Sequence, residues 1–74
     1  MTIKEAITVD REILGGTPVF SGTRVSIKTL FDYLESSSLA EFLAGFPSVK
    51  REQAEVVIEW ATPNFYPAVG RAKL

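Results

Sequence analysis

Apolar residues change their spacing along this 74-residue chain, and each change marks a different element. Ile3 to Val9 holds β-branched residues in partial alternation, and Thr17 to Ile27 sets Val19, Phe20, Val25 and Ile27 around a glycine-centred turn. Two or three short strands are expected there, forming an N-terminal β-hairpin. From Ser26 the period becomes helical, with Ile27, Leu30, Phe31 and Leu34 at i, i+3, i+4 and i+7 and Ser26 placed to cap the start. This predicts a helix over about 26–35. Ser36-Ser37-Ser38 breaks it, and Ser38-Leu39-Ala40-Glu41 reads as a capping box that opens a second helix over about 38–46. Leu39, Phe42, Leu43 and Phe46 form its apolar face, and Gly45 with Pro47 stops it. A third helix over about 50–62 presents Ala54, Val57, Ile58 and Ala61, with Thr62-Pro63 as the expected end.

Three helices with short connections predict a mainly α fold, a trihelical helix-turn-helix bundle of homeodomain-like type, preceded by the short N-terminal β-hairpin. Residues 1–62 make one domain on this reading. A two-stranded ribbon is barely stable in water by itself, so the helices or another chain must cover it. Residues 63–74 hold two prolines and a glycine along with Phe65, Tyr66, Val69 and Leu74, an apolar tail without periodicity.

The turn before the first long helix is specified tightly. Gly15, Gly16, Pro18 and Gly22 stand within the segment that ends Gly22-Thr23-Arg24-Val25. Glycine serves where φ is positive or a backbone comes close, and proline fixes φ and removes a donor, so Gly16, Pro18, Gly22, Thr23 and Arg24 read as a structural turn. The pattern GGxPxxxGTRxxV followed by an amphipathic helix resembles the small bacterial domain-of-unknown-function family 433. The likeness continues through Ile27, Leu34, Leu39, Phe42, Leu43, Phe46, Pro47, Gln53, Ala54 and Val57, and spans roughly Val9 to Ala61. It departs at Ser36 and Ser37, where glycines are common, and at Lys50, where a Ser or Thr cap is common.

Composition narrows the options. A chain this short buries only about 60% of the surface its unfolded form exposes. It has no cysteine or histidine, so neither a disulfide nor a cysteine- or histidine-ligated structural zinc is available as a staple. Oligomerisation or a bound partner is the remaining route to stability, and a homodimer is expected. Hydrophobic residues at 46% suffice for a compact core. No apolar run approaches the roughly 20 residues of a membrane helix, and Met1 to Glu5 lacks the build of a signal peptide, so a cytoplasmic location without membrane association is expected.

Catalysis is the reading with least support. With no histidine or cysteine and only Asp10 and Asp32 beside seven glutamates, no nucleophile, base or metal-ligand set stands out, and no cofactor is implied. DNA binding is suggested by the trihelical pattern, with Arg24, Lys28, Lys50 and Arg51 as weak nucleic-acid candidates. Charge opposes it: Glu52, Glu55 and Glu59 make an acidic stripe along the third helix, and the sequence pI is near 5.3. Arg24 has two readings. Its guanidinium either braces the turn through nearby carbonyls, Asp32 or Glu35, which is the preferred role, or contacts a phosphate or acidic partner. Val19 and Phe20 are core residues or interface anchors. Trp60 is a lid on the core, or it joins Phe65, Tyr66 and Val69 in an apolar partner-binding surface.

The family resemblance implies an antitoxin of a type II toxin–antitoxin module, similar in role to VapB, with a PIN-like ribonuclease as the toxin. The expected function is therefore a non-enzymatic binding protein that neutralises such a nuclease by occlusion. The tail would dock on the toxin, and the helical unit would supply dimerisation or operator DNA binding. The alternative is a helix-turn-helix transcriptional regulator acting without a toxin.

Overall fold

The computed structural model describes residues 1–65. In order these form α1 (Ile3–Ala6), β1 (Ile7–Thr8), a 3-10 turn (Leu14–Gly16), β2 (Val19–Phe20), α2 (Ile27–Leu34), α3 (Leu39–Gly45) and α4 (Arg51–Phe65). The protein is mainly helical with a small antiparallel β-hairpin near its N-terminus. No helix among the described residues is long and apolar enough to cross a membrane.

The strand expected over Ile3 to Val9 is shorter than its apolar pattern implies. Ile3–Ala6 is one helical turn, because Thr2 and Glu5 form a capping box: the Thr2 amide donates to Glu5 Oε1 at 2.7 Å, and the Glu5 amide donates to Thr2 Oγ1 at 3.3 Å. These two local bonds outweigh the β preference of Ile3 and leave only Ile7 and Thr8 to pair. They face Phe20 and Val19 respectively, in antiparallel register. β2 has a partner on its other side as well. Val19 bridges Ser26, the Phe20 amide donates to Val25 O at 2.9 Å, and the Ile27 amide donates to Pro18 O at 3.1 Å. β2 is therefore the middle of three short extended segments, as the spacing of Val19, Phe20, Val25 and Ile27 implies.

The glycines do what the turn demands. The Thr23 amide closes on Phe20 O at 3.0 Å, and Gly22, third residue of that turn, has φ +80°. Thr23 Oγ1 also donates to Phe20 O and accepts from the Val25 amide, which holds both sides of the turn with one hydroxyl. Upstream, Leu14, Gly15 and Gly16 have successive positive φ values of 49°, 65° and 94°. Leu14 is the unusual member, since a side chain makes that conformation costly.

The helices start where their caps place them. Ser26 Oγ accepts the Thr29 amide at 3.1 Å, and Ser38 and Glu41 form the expected capping box at the head of α3. α4 runs past the expected stop at Thr62-Pro63 to Phe65. Pro63 lacks an amide for the bond to Glu59 O, but so close to the end of the helix only that single bond is lost. The Thr62 hydroxyl donates to Ile58 O at 2.7 Å in the same turn. The apolar faces of α2, α3 and α4 close on the hairpin around Phe20, Leu30, Phe42, Val49, Ala54 and Val57, with Ala6 from α1. Phe42 lies at the centre, its ring 6.2 Å from Phe20, 5.7 Å from Tyr33 and 4.9 Å from Phe46. Edge-to-face and tilted stacking of this kind adds to the area buried. Val19 and Phe20 are both fully buried, so the core role holds for each.

One buried polar side chain ties these parts together. Gln53 is 5% exposed; its Nε2 donates to Ser21 O at 3.0 Å and its Oε1 accepts the Lys50 amide at 2.9 Å. The first bond crosses from α4 to the glycine turn, and the second caps α4. Gln53→Ala would leave the Ser21 carbonyl and the Lys50 amide without their partner at a part-buried junction, a loss of about 2 kcal/mol. Thermal unfolding should then come roughly 8–16 °C earlier. Gly22→Ala meets no atom within 4 Å of an added Cβ, so only its backbone conformation resists, at about 1 kcal/mol. Melting curves followed by circular dichroism should rank the two in that order; a Gln53→Ala chain as stable as its parent contradicts this assignment.

Candidate partner-binding groove

Among the described residues, the three extended segments leave one end of the hairpin open as a groove. One step along the register from Thr8 and Val19, Val9 lies beside Pro18, and Pro18 is bonded through its carbonyl to the Ile27 amide. These residues, with Ile7, Phe31, the stem of Lys28, and Trp60 from α4, line a groove of about 380 Å³. The lining is almost wholly apolar, as in a site that takes side chains or a small apolar body. Val9 is 65% exposed and Trp60 45% exposed. Exposed apolar side chains gathered beside an apolar cleft make this groove a candidate interaction surface.

The hydrophobic pattern explains why these residues meet. Ile27 and Phe31 are an i, i+4 pair that continues the buried face of α2 around toward solvent. Ile7 and Val9 are two apart on an extended chain and so project alike. Trp60 lies one position off the buried Val57 and Ala61 line of α4, which turns its indole toward the same opening. A second depression, of about 390 Å³, has a mixed polar and apolar lining, formed by Thr29, Asp32, Tyr33, Ser36 and Ser37 where α2 gives way to the serine turn. Its one carboxylate is already engaged by Lys28.

The charged candidates are distributed differently from the sequence expectation. Arg24 is exposed and makes no hydrogen bond or ion pair with Asp32, Glu35 or any other described residue, so the brace across the turn does not form. Asp32 is taken by Lys28, one helical turn away on the same face of α2, a shorter route than a reach from the turn. That hydrogen bond and the Asp32 charge hold the Lys28 ammonium above its ordinary pKa. Arg51 pairs with Glu55 at 3.6 Å along α4. The Glu5 carboxyl is held below its usual range by the Thr2 backbone and side-chain hydrogen bonds of the α1 cap. The Gln53 bond to Ser21 sets the start of α4, with Lys50 and Arg51, against the turn that carries Arg24. Lys28 belongs to the groove rim. Lys50 and Arg51 thus stand at the start of the helix that docks on that turn, while Lys28 lines the apolar opening.

Glu52, Glu55 and Glu59 are all exposed along α4, as the stripe requires. No group of three or more acidic, histidine or cysteine side chains converges among the described residues. Of the apolar partner-binding candidates, Trp60 lines the groove and Phe65 is the last residue of α4, while Tyr66 and Val69 lie outside the described residues, as does most of the 63–74 tail.

The family described as "Protein of unknown function (DUF433)" matches residues 7–61, well over half the chain. The chain belongs to that family. The matched stretch begins at the first groove residue, Ile7, and ends one residue after the last, Trp60, so the groove lies wholly within the family's shared domain. Comparisons with curated proteins and with solved structures give no match.

Sequence reasoning reached Trp60 and the turn residues but missed Ile7, Val9, Ile27 and Phe31 as groove residues. Their signal was present as the exposed continuation of two apolar stripes. It becomes readable only once α1 shortens the first strand and leaves Val9 beyond the paired register. With no side-chain partner, Arg24→Ala should leave the unfolding free energy within about 0.5 kcal/mol of the parent in urea titrations. A loss well above that would show that the arginine braces the turn after all.

Proposed function

We propose that this protein is a non-enzymatic binding protein of antitoxin type that neutralises a PIN-like ribonuclease by covering it. The observation that carries the reading is the apolar groove, with Val9 and Trp60 presented at its mouth. Tryptophan is enriched among interface anchors, because a large rigid ring buries much area at small entropic cost. The exposed glutamates of α4 suit the same task, since a nuclease carries a positive surface for its substrate and meets an acidic partner favourably. Residues 63–74, which begin in the last turn of α4, would extend the contact. The reading places the chain in the cytoplasm with its target.

A second reading draws on the basic end. If α2, α3 and α4 act as a trihelical helix-turn-helix unit, Arg24, which has no ion pair among the described residues, offers phosphate contacts with Lys50 and Arg51 for operator binding, as in an antitoxin that also regulates its own operon. The α4 glutamates work against this, so such binding would be weak for one copy and strongly salt-dependent.

Co-expression with the product of the adjacent gene tests the main reading. The two chains should co-purify, the complex should lack ribonuclease activity, and removing residues 63–74 should restore part of it. Trp60→Ala should weaken the complex at least tenfold, about 1.4 kcal/mol or more, in calorimetric titration. A neighbouring nuclease that neither binds the chain nor loses activity beside it contradicts the proposal.

A further inference from the structure

We infer that the apolar groove is a docking site for this chain's own residues 66–74, which turn back from the end of α4 and cover it while no partner is bound. The helix delivers the occupant to the site. Trp60, which lines the groove, stands five residues before the last residue of α4, Phe65, so the following segment starts about 8 Å along the helix axis from it. The nine residues from Tyr66 to Leu74 span up to about 30 Å when extended, several times that distance. The sequence carries what a reversal needs, since Pro67 disfavours helical backbone at Tyr66 and Gly70 accepts a positive φ.

Composition and charge match segment to site. The groove lining is apolar except for Lys28, whose ammonium is paired with Asp32. The segment offers Tyr66 and Val69 to that lining, and an aromatic ring there lies within the reach of Phe31 and Trp60. It also carries Arg71 and Lys73 and no acidic residue. Along α4, exposed Glu55 is paired with Arg51, while exposed Glu59, next in sequence to Trp60, makes no ion pair among the described residues. A cationic segment laid back beside α4 therefore meets an acidic stripe whose unpaired charge stands nearest the groove.

Tethering favours this occupant over any other. A segment held within reach of a site presents itself at about millimolar effective concentration, so even a contact with a dissociation constant near 1 mM is about half formed. A second copy of the chain, at micromolar concentration and with the same intrinsic affinity, would leave the groove nearly empty. The cover also shields Val9 and Trp60, which as an open apolar patch would invite association at random. A partner that takes the groove must displace the segment, which is then released to lie on the partner. The inference concerns the chain by itself and stands whichever partner that is.

The test uses the full chain alone. The chain has no cysteine, so Val9→Cys combined with Val69→Cys reports one contact, and on mild oxidation it should close within a single chain, read by mass. Arg51→Cys combined with Val69→Cys is the control, with its first cysteine about 13 Å back along α4 from Trp60. It should close at least about tenfold more slowly. Trp60 is the only tryptophan, so its emission reports on the groove, and Tyr66→Ser with Val69→Ser should shift that emission to the red. The emission decides the matter if the cysteine variants lose their fold. Disulfide-linked dimers in place of closed monomers would place a second copy in the groove, and equal closure by both cysteine pairs would show a segment with no fixed site. Either result, or an unchanged emission, overturns the proposal.

Discussion

The fold rests on the position of Gln53. A 74-residue chain without disulfide or metal has little apolar burial to spare, and its hairpin is too short to stand alone. The amide of Gln53 reaches from the first turn of α4 to the Ser21 carbonyl, while its own carbonyl caps that helix at Lys50. A buried amide satisfied on both atoms fixes distance and direction, which apolar contacts alone do not. Ser21 is in turn held to β1, its hydroxyl 2.8 Å from Thr8 Oγ1 and its amide bonded to Ala6 O. A chain of hydrogen bonds thus runs from the N-terminal turn through the hairpin to the longest helix. Around it Phe20, Leu30, Phe42 and Val57 close the core.

The candidate surfaces follow from that arrangement. Once α4 is anchored at its N-terminal end beside Ser21, its later turns pass the open end of the hairpin, and Trp60 comes to line a groove with Val9, Pro18 and Ile27. The same anchor sets Lys50 and Arg51 against the turn that presents Arg24. The apolar opening is therefore a product of that docking geometry. Exposed glutamates run along α4, and one of them pairs with Arg51.

Much of the architecture was legible in the sequence. Ser26, and the Ser38 and Glu41 pair, marked the two helix starts that the structure has, because capping is a local rule with a fixed spacing. Gly22 and Thr23 announced their turn for the same reason. The first strand was misjudged although Thr2 and Glu5 carried the same signature as Ser38 and Glu41; the β-branched residues between and after them gave a competing signal. Pro63 misled in the opposite sense, since a proline in the last turn of a helix removes only one bond. Arg24 was harder to place. Which carboxylate an exposed arginine finds depends on competition in three dimensions, and Lys28, already one turn from Asp32, takes that partner first. The groove was hidden for a related reason, since it is made where four elements fail to cover one another.

The account stands or falls on the groove being the surface a partner occupies. Its most direct test is a nitrogen-15 spectrum of the labelled chain during titration with the purified product of the adjacent gene. The largest shifts should fall on the amides of Ile7, Val9, Ile27, Lys28 and Phe31 and on the indole of Trp60. Shifts confined to Arg24, Lys50 and Arg51, or none at all with the nuclease in excess, would contradict it.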